Sequence, residues 1–347
     1  MPIILFHMNI PLLTADLPGT AGRIKVELDD FEVEEVPAYE PSGIGDHLFL
    51  WVEKRDVGAE YFAKLLGRKL GVPPNEVGTA GMKDRRAVTR QWVSVPKTVE
   101  PRLAEIDGDG LTLLRVSRHG NKLRPGHLRG NRFRVLVREA DAAKAEPILA
   151  RLRESGLPNY YGEQRFGREG ETVNLGMAML KRERTPRVNP FLRKLALSAA
   201  QSQLFNDWLA RRLTDGLLRT VLAGDVLAKW PVGGMFVSTD AAADQPRLAA
   251  REVVPAGPMF GRKMFASAAV AAEREAAVLG DAGLAVEAFA GFGKLVEGTR
   301  RHALVYVDEL TATVEPDGLR LAFALPAGSY APVRLREVIK PTVADAP

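Results

Sequence analysis

The sequence predicts an α+β protein in which a β-rich part is interrupted by a long, mostly helical insertion. Three observations carry that prediction. Up to about residue 140 the apolar residues sit in short alternating runs, the period of half-buried strands. From about Asp141 they recur at helical spacing instead, and alternation returns after about residue 302. Strands, then helices, then strands is the order of an α+β chain. A length of 347 residues allows about two domains and a large core.

In order along the chain, FEVEEV (31–36) alternates strictly, and HLFLWVEK (47–54) is rich in aromatic and aliphatic residues, with Gly43 and Gly45 marking a turn between them. AEYFAKLLGRKL (59–70) spaces Phe62, Leu65, Leu66 and Leu70 as one helix face, with Asp56 as the expected cap and GVPPNE as the stop. QWVSV (91–95), LTLLRV (111–116) and FRVLV (133–137) read as strands separated by glycine-rich, basic loops. DAAKAEPILARLRESG (141–156) is an amphipathic helix ending at Gly156. LALSAAQSQLFNDWLARRL (195–213) repeats Leu197, Leu204, Phe205, Trp208 and Leu209 on one face, and an alanine-rich helix follows near 266–279. HALVYV, LTATVE and LRLAFALP then read as strands, and VRLREVIK (333–340) as a closing amphipathic segment.

Composition removes several function classes. There is no cysteine, which excludes disulfides, thiolate chemistry and cysteine-ligated metals. The five histidines are scattered and none has an H-x-x-x-H spacing, so no metal is expected. No apolar run is long enough for a membrane span. MPIILFHMNIPLL (1–13) lacks a basic leader and is broken by His7, Asn9 and Pro11, so it reads as a first strand or arm, with the cytoplasm as the expected location.

The net charge of +5 is modest, but it is clustered. RVSRHGNKLRPGHLRGNRFR (115–134) holds seven Lys or Arg, two His and no acid, where a stretch of that length ordinarily carries about two or three acids. KRERTPRVNPFLRK (181–194) holds six basic residues against one acid. A basic stripe in each part suggests a cleft for a large polyanion, since Lys and Arg displace counterions and set register on a nucleic-acid backbone. DNA, RNA and a nucleotide cofactor remain open on charge alone. Neither G-x-x-x-x-G-K-[ST] nor G-x-G-x-x-G occurs, which argues against a triphosphate or dinucleotide site.

GTAGMKDRRAVTRQ (78–91) carries a single acid, Asp84, among Lys83, Arg85, Arg86 and Arg90. Gly78 and Gly81 mark a tight loop before a strand, a common setting for a catalytic group. Surrounding cations favour an ionised carboxylate, the state a nucleophile or base needs beside phosphates. Spacing alone leaves a structural ion-pair network equally open.

The full string AGMKDRRAVTRQ (80–91) resembles the signature of the TruD family of tRNA pseudouridine synthases. Five further strings resemble that family in chain order: GRIKVELDDFEVEEV (22–36), LRGNRF (128–133), PNYYGEQRFG (158–167), LSAAQSQLFNDWLARR (197–212) and LPAGSYAPVRLREVIK (325–340). The resemblance implies a pseudouridine synthase catalytic domain with a central mixed, mainly antiparallel sheet formed by both chain ends (1–156 and 305–347), interrupted by an α/β insertion domain (157–304). It implies a cofactor-free and metal-free isomerisation of uridine 13 in tRNA, on a base flipped out of the RNA, by a protein expected to be a monomer.

The same resemblance makes Asp84 the catalytic carboxylate and leaves open whether it attacks ribose, adds to uracil or acts as a base. Lys25 becomes its candidate contact, Phe133 and Tyr330 aromatic contacts to the base, Asn131 a hydrogen-bonding neighbour, and Lys83 a supporting cation or phosphate contact. Tyr330 stands where the family often carries Phe. Asn159, Gln164, Arg165 and Phe166 are expected to shape the domain junction. Arg118, Lys122, Arg124, Arg129 and Arg187 are the expected contacts to the RNA backbone. The alternative that the basic stripes also support is a non-catalytic tRNA-binding or chaperone protein. A carboxylate-based glycosidase is disfavoured, because no second acid accompanies Asp84 in a paired motif.

Overall fold

The structure, a computed structural model, describes residues 10–307 and 309–340. Most of the segment expected as a first strand or arm therefore lies outside the described residues, and from Ile10 to Thr20 the chain is irregular. The first part forms β1 (Phe31–Pro37), β2 (His47–Arg55), α1 (Ala59–Leu70), β3 (Gly78–Thr79), β4 (Val88–Pro96), β5 (Leu111–His119), β6 (Leu128–Val137) and α2 (Ala145–Ser155). The middle forms β7 (Leu157–Pro158), α3 (Glu171–Leu180), α4 (Pro190–Thr214), β8 (Val226–Lys229), β9 (Met235–Val237), α5 (Ala241–Ala249), β10 (Val253–Met259), α6 (Ala269–Asp281) and β11 (Thr299–His302). The last part forms β12 (Leu304–Val305), β13 (Thr311–Glu315), β14 (Gly318–Pro326) and α7 (Ala331–Ile339).

The central sheet runs β13–β14–β6–β1–β4–β2–β5, with β3 beside β4. β1 and β4 are parallel and the remaining pairs antiparallel, so both chain ends build one mixed, mainly antiparallel sheet. Register sets Val33, Thr89 and Lys54 in one row across β1, β4 and β2, and residues in a row face the same side. On that side α1 packs Phe62, Leu65 and Leu66 on Leu48, Leu50 and Val52. Beside it α2 and α7 pack Ile148, Leu149, Leu335 and Val338 on Phe31, Val33 and Val135. These are two separate apolar clusters. Between them the same side buries Glu35, Lys54, Thr89 and Gln91. The sheet thus carries a polar seam down its helix-covered side.

The middle of the chain departs from its mostly helical reading. A second sheet, β11–β10–β8–β9, packs under α4, whose Leu204, Phe205, Trp208 and Leu209 meet Val254, Ala256 and Met259. Its strands escaped periodicity because β8 and β9 span only four and three residues and β10 carries Pro255, Gly257 and Pro258. Asp56 is not the cap of α1: the N-cap is Gly58, and Asp56 pairs with Arg85 at 3.4 Å. The basic stretch 115–134 is mostly strand, in β5 and β6, leaving only 120–127 as loop. Where the chain passes between the two sheets, β7 and β12 pair with each other.

Glu337 of α7 fastens the N-terminal arm. Its carboxylate accepts from the backbone N–H of Leu13 at 2.9 Å, that of Thr14 at 3.1 Å and the Thr14 hydroxyl at 2.8 Å. Further along, the N–H groups of Thr20 and Ala21 donate to Val338 and Ile339. We predict that Glu337→Ala, which leaves several buried donors without an acceptor, lowers stability by about 3 kcal/mol or more. A fall in the urea midpoint at constant m-value would register this, and Glu337→Gln, which keeps one acceptor oxygen, should lose less.

Candidate active site

Residues 80–87 link β3 to β4 as an irregular loop and carry Asp84 at its middle. Such a loop cannot satisfy its backbone by itself, and side chains from neighbouring elements hold it. The Lys54 ammonium is wholly buried and donates to the backbone carbonyl of Asp84 at 2.8 Å and to that of Val57 at 2.6 Å. Arg86 donates to the Val26 carbonyl at 2.9 Å, and Gly126 N–H to the Ala80 carbonyl at 2.8 Å. Lys83 turns inward and pairs with Glu35 at 2.6 Å, both side chains being almost fully buried. Burial pushes the Glu35 carboxyl above its ordinary value, against the pull of Lys83.

The Asp84 carboxylate is left to the surface, its side chain 38% exposed, and its Oδ2 accepts from Lys25 Nζ at 3.0 Å. Lys25 has a left-handed backbone, φ 57°, and its ammonium also sits 4.0 Å from the centre of the Phe31 ring. The turn that follows it is fixed by Asp30, which accepts from Arg138 through both oxygens and from the N–H of Glu27. Burial opposes ionisation of Asp30, but Arg138 and the backbone donors outweigh it and hold its carboxyl below the ordinary value.

Asp84 opens into a cavity of about 400 Å³. One wall is Ile24, Lys25, Arg85 and Arg86; the facing wall is Gly162, Glu163, Gln164, Tyr330 and Arg336. The facing wall joins the loop after β7 to the start of α7, and the two pack tightly: a Cβ on Gly162 would come within 3.1 Å of the Tyr330 ring. Tyr330 also meets Tyr161 edge-on at 5.8 Å. Four cations and two acids line the cavity, which suits an anionic ligand brought up to a carboxylate.

Of the residues marked by sequence, Asp84, Lys25, Gln164 and Tyr330 meet at this cavity. Three do not. Lys83 cannot contact a phosphate as it stands, since its ammonium is buried against Glu35. Phe133 is 7% exposed and stacked on Phe323 at 5.3 Å; it falls in the inward row of β6 with Val135 and Val137 and reaches Lys25 only through Phe31. Asn131 lies across from Glu35 and Leu325, outside the cavity lining, with its Oδ1 buried and, among the described residues, without a hydrogen-bond partner. Asn159, Arg165 and Phe166 lie behind the facing wall: Asn159 holds Arg301 at 2.8 Å, Arg165 donates to Ser202 at 3.1 Å, and Phe166 is buried. Among the backbone candidates, Arg118 is paired with Glu100 at 2.7 Å and Lys122 donates to the Asn75 carbonyl, while Arg124, Arg129 and Arg187 are exposed.

Sequence reasoning missed Lys54, Glu35 and Arg336. For two of them a signal existed. Lys54 is in step with Leu48, Leu50 and Val52, and Glu35 with Phe31 and Val33, so each ends an inward-facing row of its own strand. A charge in such a row is unusual enough to mark a site.

A family model described as tRNA pseudouridine synthase D (TruD) matches residues 7–189 and 185–338. A tRNA pseudouridine synthase D of Anaeromyxobacter sp. (strain Fw109-5) is 48% identical over 337 residues, covering 96% of each chain. That of Thermus thermophilus is 42% identical, covering 99% of this chain and 96% of its own. The crystal structure of a putative tRNA pseudouridine synthase D from Methanosarcina mazei superposes with a TM-score of 0.80 over 95% of this chain and 96% of that one; at 24% identity it speaks for the fold.

Burial pulls the Lys54 ammonium from 10.5 down to about 8, with Asp84 and Asp56 pulling the other way and Lys83 adding to the fall. Between those values the unfolded chain holds a proton that the folded one has released. Stability from this group therefore rises with pH across the window from about 8 to 10.5, and below it the full cost of burying the charge is felt. The difference in unfolding free energy between wild type and Lys54→Met should shift in favour of wild type as pH rises from about 8 to 10.5 and stay constant below that window; parallel curves throughout would refute the assignment.

Proposed function

The chain belongs to the tRNA pseudouridine synthase D (TruD) family, and on that footing we propose that it converts uridine 13 of tRNA to pseudouridine with Asp84 as the catalytic carboxylate. One observation carries the assignment of Asp84: an exposed carboxylate, held by Lys25 at 3.0 Å, opens into a cavity otherwise rich in cations. At about 400 Å³ the cavity lies within the range of small-ligand sites, ~300–1,000 Å³, and accommodates one nucleotide.

The reaction exchanges one glycosidic bond for another. The C1′–N1 bond of uridine breaks, the uracil turns, and a C1′–C5 bond forms; C5 loses its proton and N1 gains one. Atoms and electrons balance within the nucleotide, so the reading needs no redox cofactor. An ionised carboxylate serves this sequence either as a nucleophile toward the nucleotide or as a base. Lys25 orients Oδ2 and offsets its charge where phosphates approach. Tyr330 offers a ring for the flipped base, a contact of ~1–3 kcal/mol in single-strand binders. Arg85, Arg86 and Arg336 surround the place where that nucleotide's phosphates would lie.

A base inside folded tRNA must be extruded to reach Asp84, at a cost of a few kcal/mol that binding offsets. The exposed Arg124, Arg129 and Arg187 serve as backbone contacts that fix the RNA in register.

Incubating the protein with unmodified tRNA and mapping pseudouridine by selective chemical labelling tests the proposal: signal is expected at position 13 and nowhere else. Asp84→Asn should lower single-turnover isomerisation by at least ~10³-fold while tRNA affinity stays within about threefold of wild type. Product from Asp84→Asn at the wild-type rate would remove Asp84 from the chemistry, and no product from wild type on any RNA would remove the function.

A further inference from the structure

The histidines that look scattered in sequence are not scattered in space. His47, His119 and His127 line one open cavity of about 610 Å³ with Tyr39, Glu40, Asn121, Lys122 and Arg124. Two loops make it, 38–46 and 120–127. They close on each other because residue 45 is glycine: its φ is +128°, and a Cβ there would meet the His119 carbonyl at 2.4 Å. Gly43 N–H donates to the Arg118 carbonyl at 2.9 Å, and Ser42 N–H to His119 Nδ1 at 3.2 Å. That last bond makes Nδ1 an acceptor, so His119 carries its hydrogen on Nε2.

From the core out to the cavity the rings form a ladder, with Phe49 buried beneath the lining. Phe49 and His119 lie 4.9 Å apart, and His119 and Tyr39 are stacked at 5.1 Å with planes 23° apart. Tyr39 ends the ladder at the surface, 36% exposed, its hydroxyl 2.7 Å from His127 Nδ1. Arg124 stands beside it, exposed and, among the described residues, without an ion pair. Glu40 is the one acid of the lining. Among the described residues no His, Asp and Glu group is arranged to hold a metal ion. A ring ladder ending at an open face beside an unpaired arginine is the arrangement that binds an unstacked nucleotide.

We propose that this cavity is a second RNA subsite, which takes one unpaired nucleotide of the same RNA whose uridine enters the Asp84 cavity. The base extends the Phe49–His119–Tyr39 stack, and Arg124 meets its phosphate with Lys122 alongside. The proposal rests on the RNA-modifying function above. The subsite is tied to the catalytic loop, since Gly126 N–H donates to the Ala80 carbonyl, and four residues of chain reach at most ~14 Å from Ala80 to Asp84. Holding a nearby nucleotide out of its stack lowers the cost of extruding the target.

Equilibrium binding of unmodified tRNA, measured over a range of salt concentrations, tests this. Tyr39→Ala should weaken binding about tenfold without changing the salt dependence, and Tyr39→Phe, which keeps the ring and loses the hydroxyl, should restore it. Arg124→Ala should lower the slope of log K against log salt by about one. Affinity of Tyr39→Ala equal to wild type would overturn the subsite, as would a Tyr39→Phe defect as large as that of alanine, which would assign Tyr39 to bracing His127. A wild-type protein that binds no tRNA would instead overturn the function on which the subsite rests.

Discussion

A carboxylate that must meet substrate has to sit on exposed, irregular backbone, and that backbone must nevertheless be rigid. Here the constraint is met by burying cations beneath the loop. Lys54 takes the carbonyl of Asp84 itself, Lys83 is anchored on Glu35, and Lys25 reaches the carboxylate from the side. The three lysines do different things because their surroundings differ. Lys54 has carbonyls rather than a carboxylate as direct partners, so burial dominates its ionisation; Lys83 has a buried counter-ion; Lys25 stays near the surface against an aromatic face.

The polar seam exists because the helices over the central sheet form two cores rather than one. α1 closes the β2–β4–β5 half and α2 with α7 closes the β1–β6–β14 half. At the junction the inward rows of β1 and β2 end in charges instead of aliphatic side chains. Such groups are costly to bury unless fully partnered. The seam therefore contributes little to stability that a hydrophobic filling would not exceed. Its use is to hold a loop in one place.

The facing wall comes from distant chain. The loop after β7 and the start of α7 meet at Gly162 and Tyr330; behind them α4 takes Arg165 through Ser202, and the second sheet takes Asn159 through Arg301. Glu337, on the same helix as Arg336, grips the N-terminal arm that brings Ile10 to the cavity. Cavity shape thus depends on contacts between residues separated by most of the chain length. The charge that looks uniform in the basic stripes is also sorted by the fold: Arg118 pairs with Glu100 at the surface, whereas Arg124 and Arg129 are exposed and, among the described residues, without an ion pair.

Alternation and helical spacing were enough to locate nearly every strand of the central sheet and the helices over it, because each such element buries one face and must repeat accordingly. Six ordered strings were enough to mark Asp84, Lys25 and Tyr330. The short, proline-bearing strands of the second sheet were not legible, since their stability comes from packing under α4 rather than from their own pattern. Nor were the inward positions of Lys83, for which the resemblance left a supporting cation or a phosphate contact open, and of Phe133, which it set against the base. Sequence by itself determined the strands of the central sheet and the helices over it, because these follow from local periodicity, and it singled out Asp84 through strings that resemble one family. Which side chains face the cavity, which cations stay exposed and which histidines converge were decided only by tertiary structure, because register and crossing of distant segments set every one of those distances.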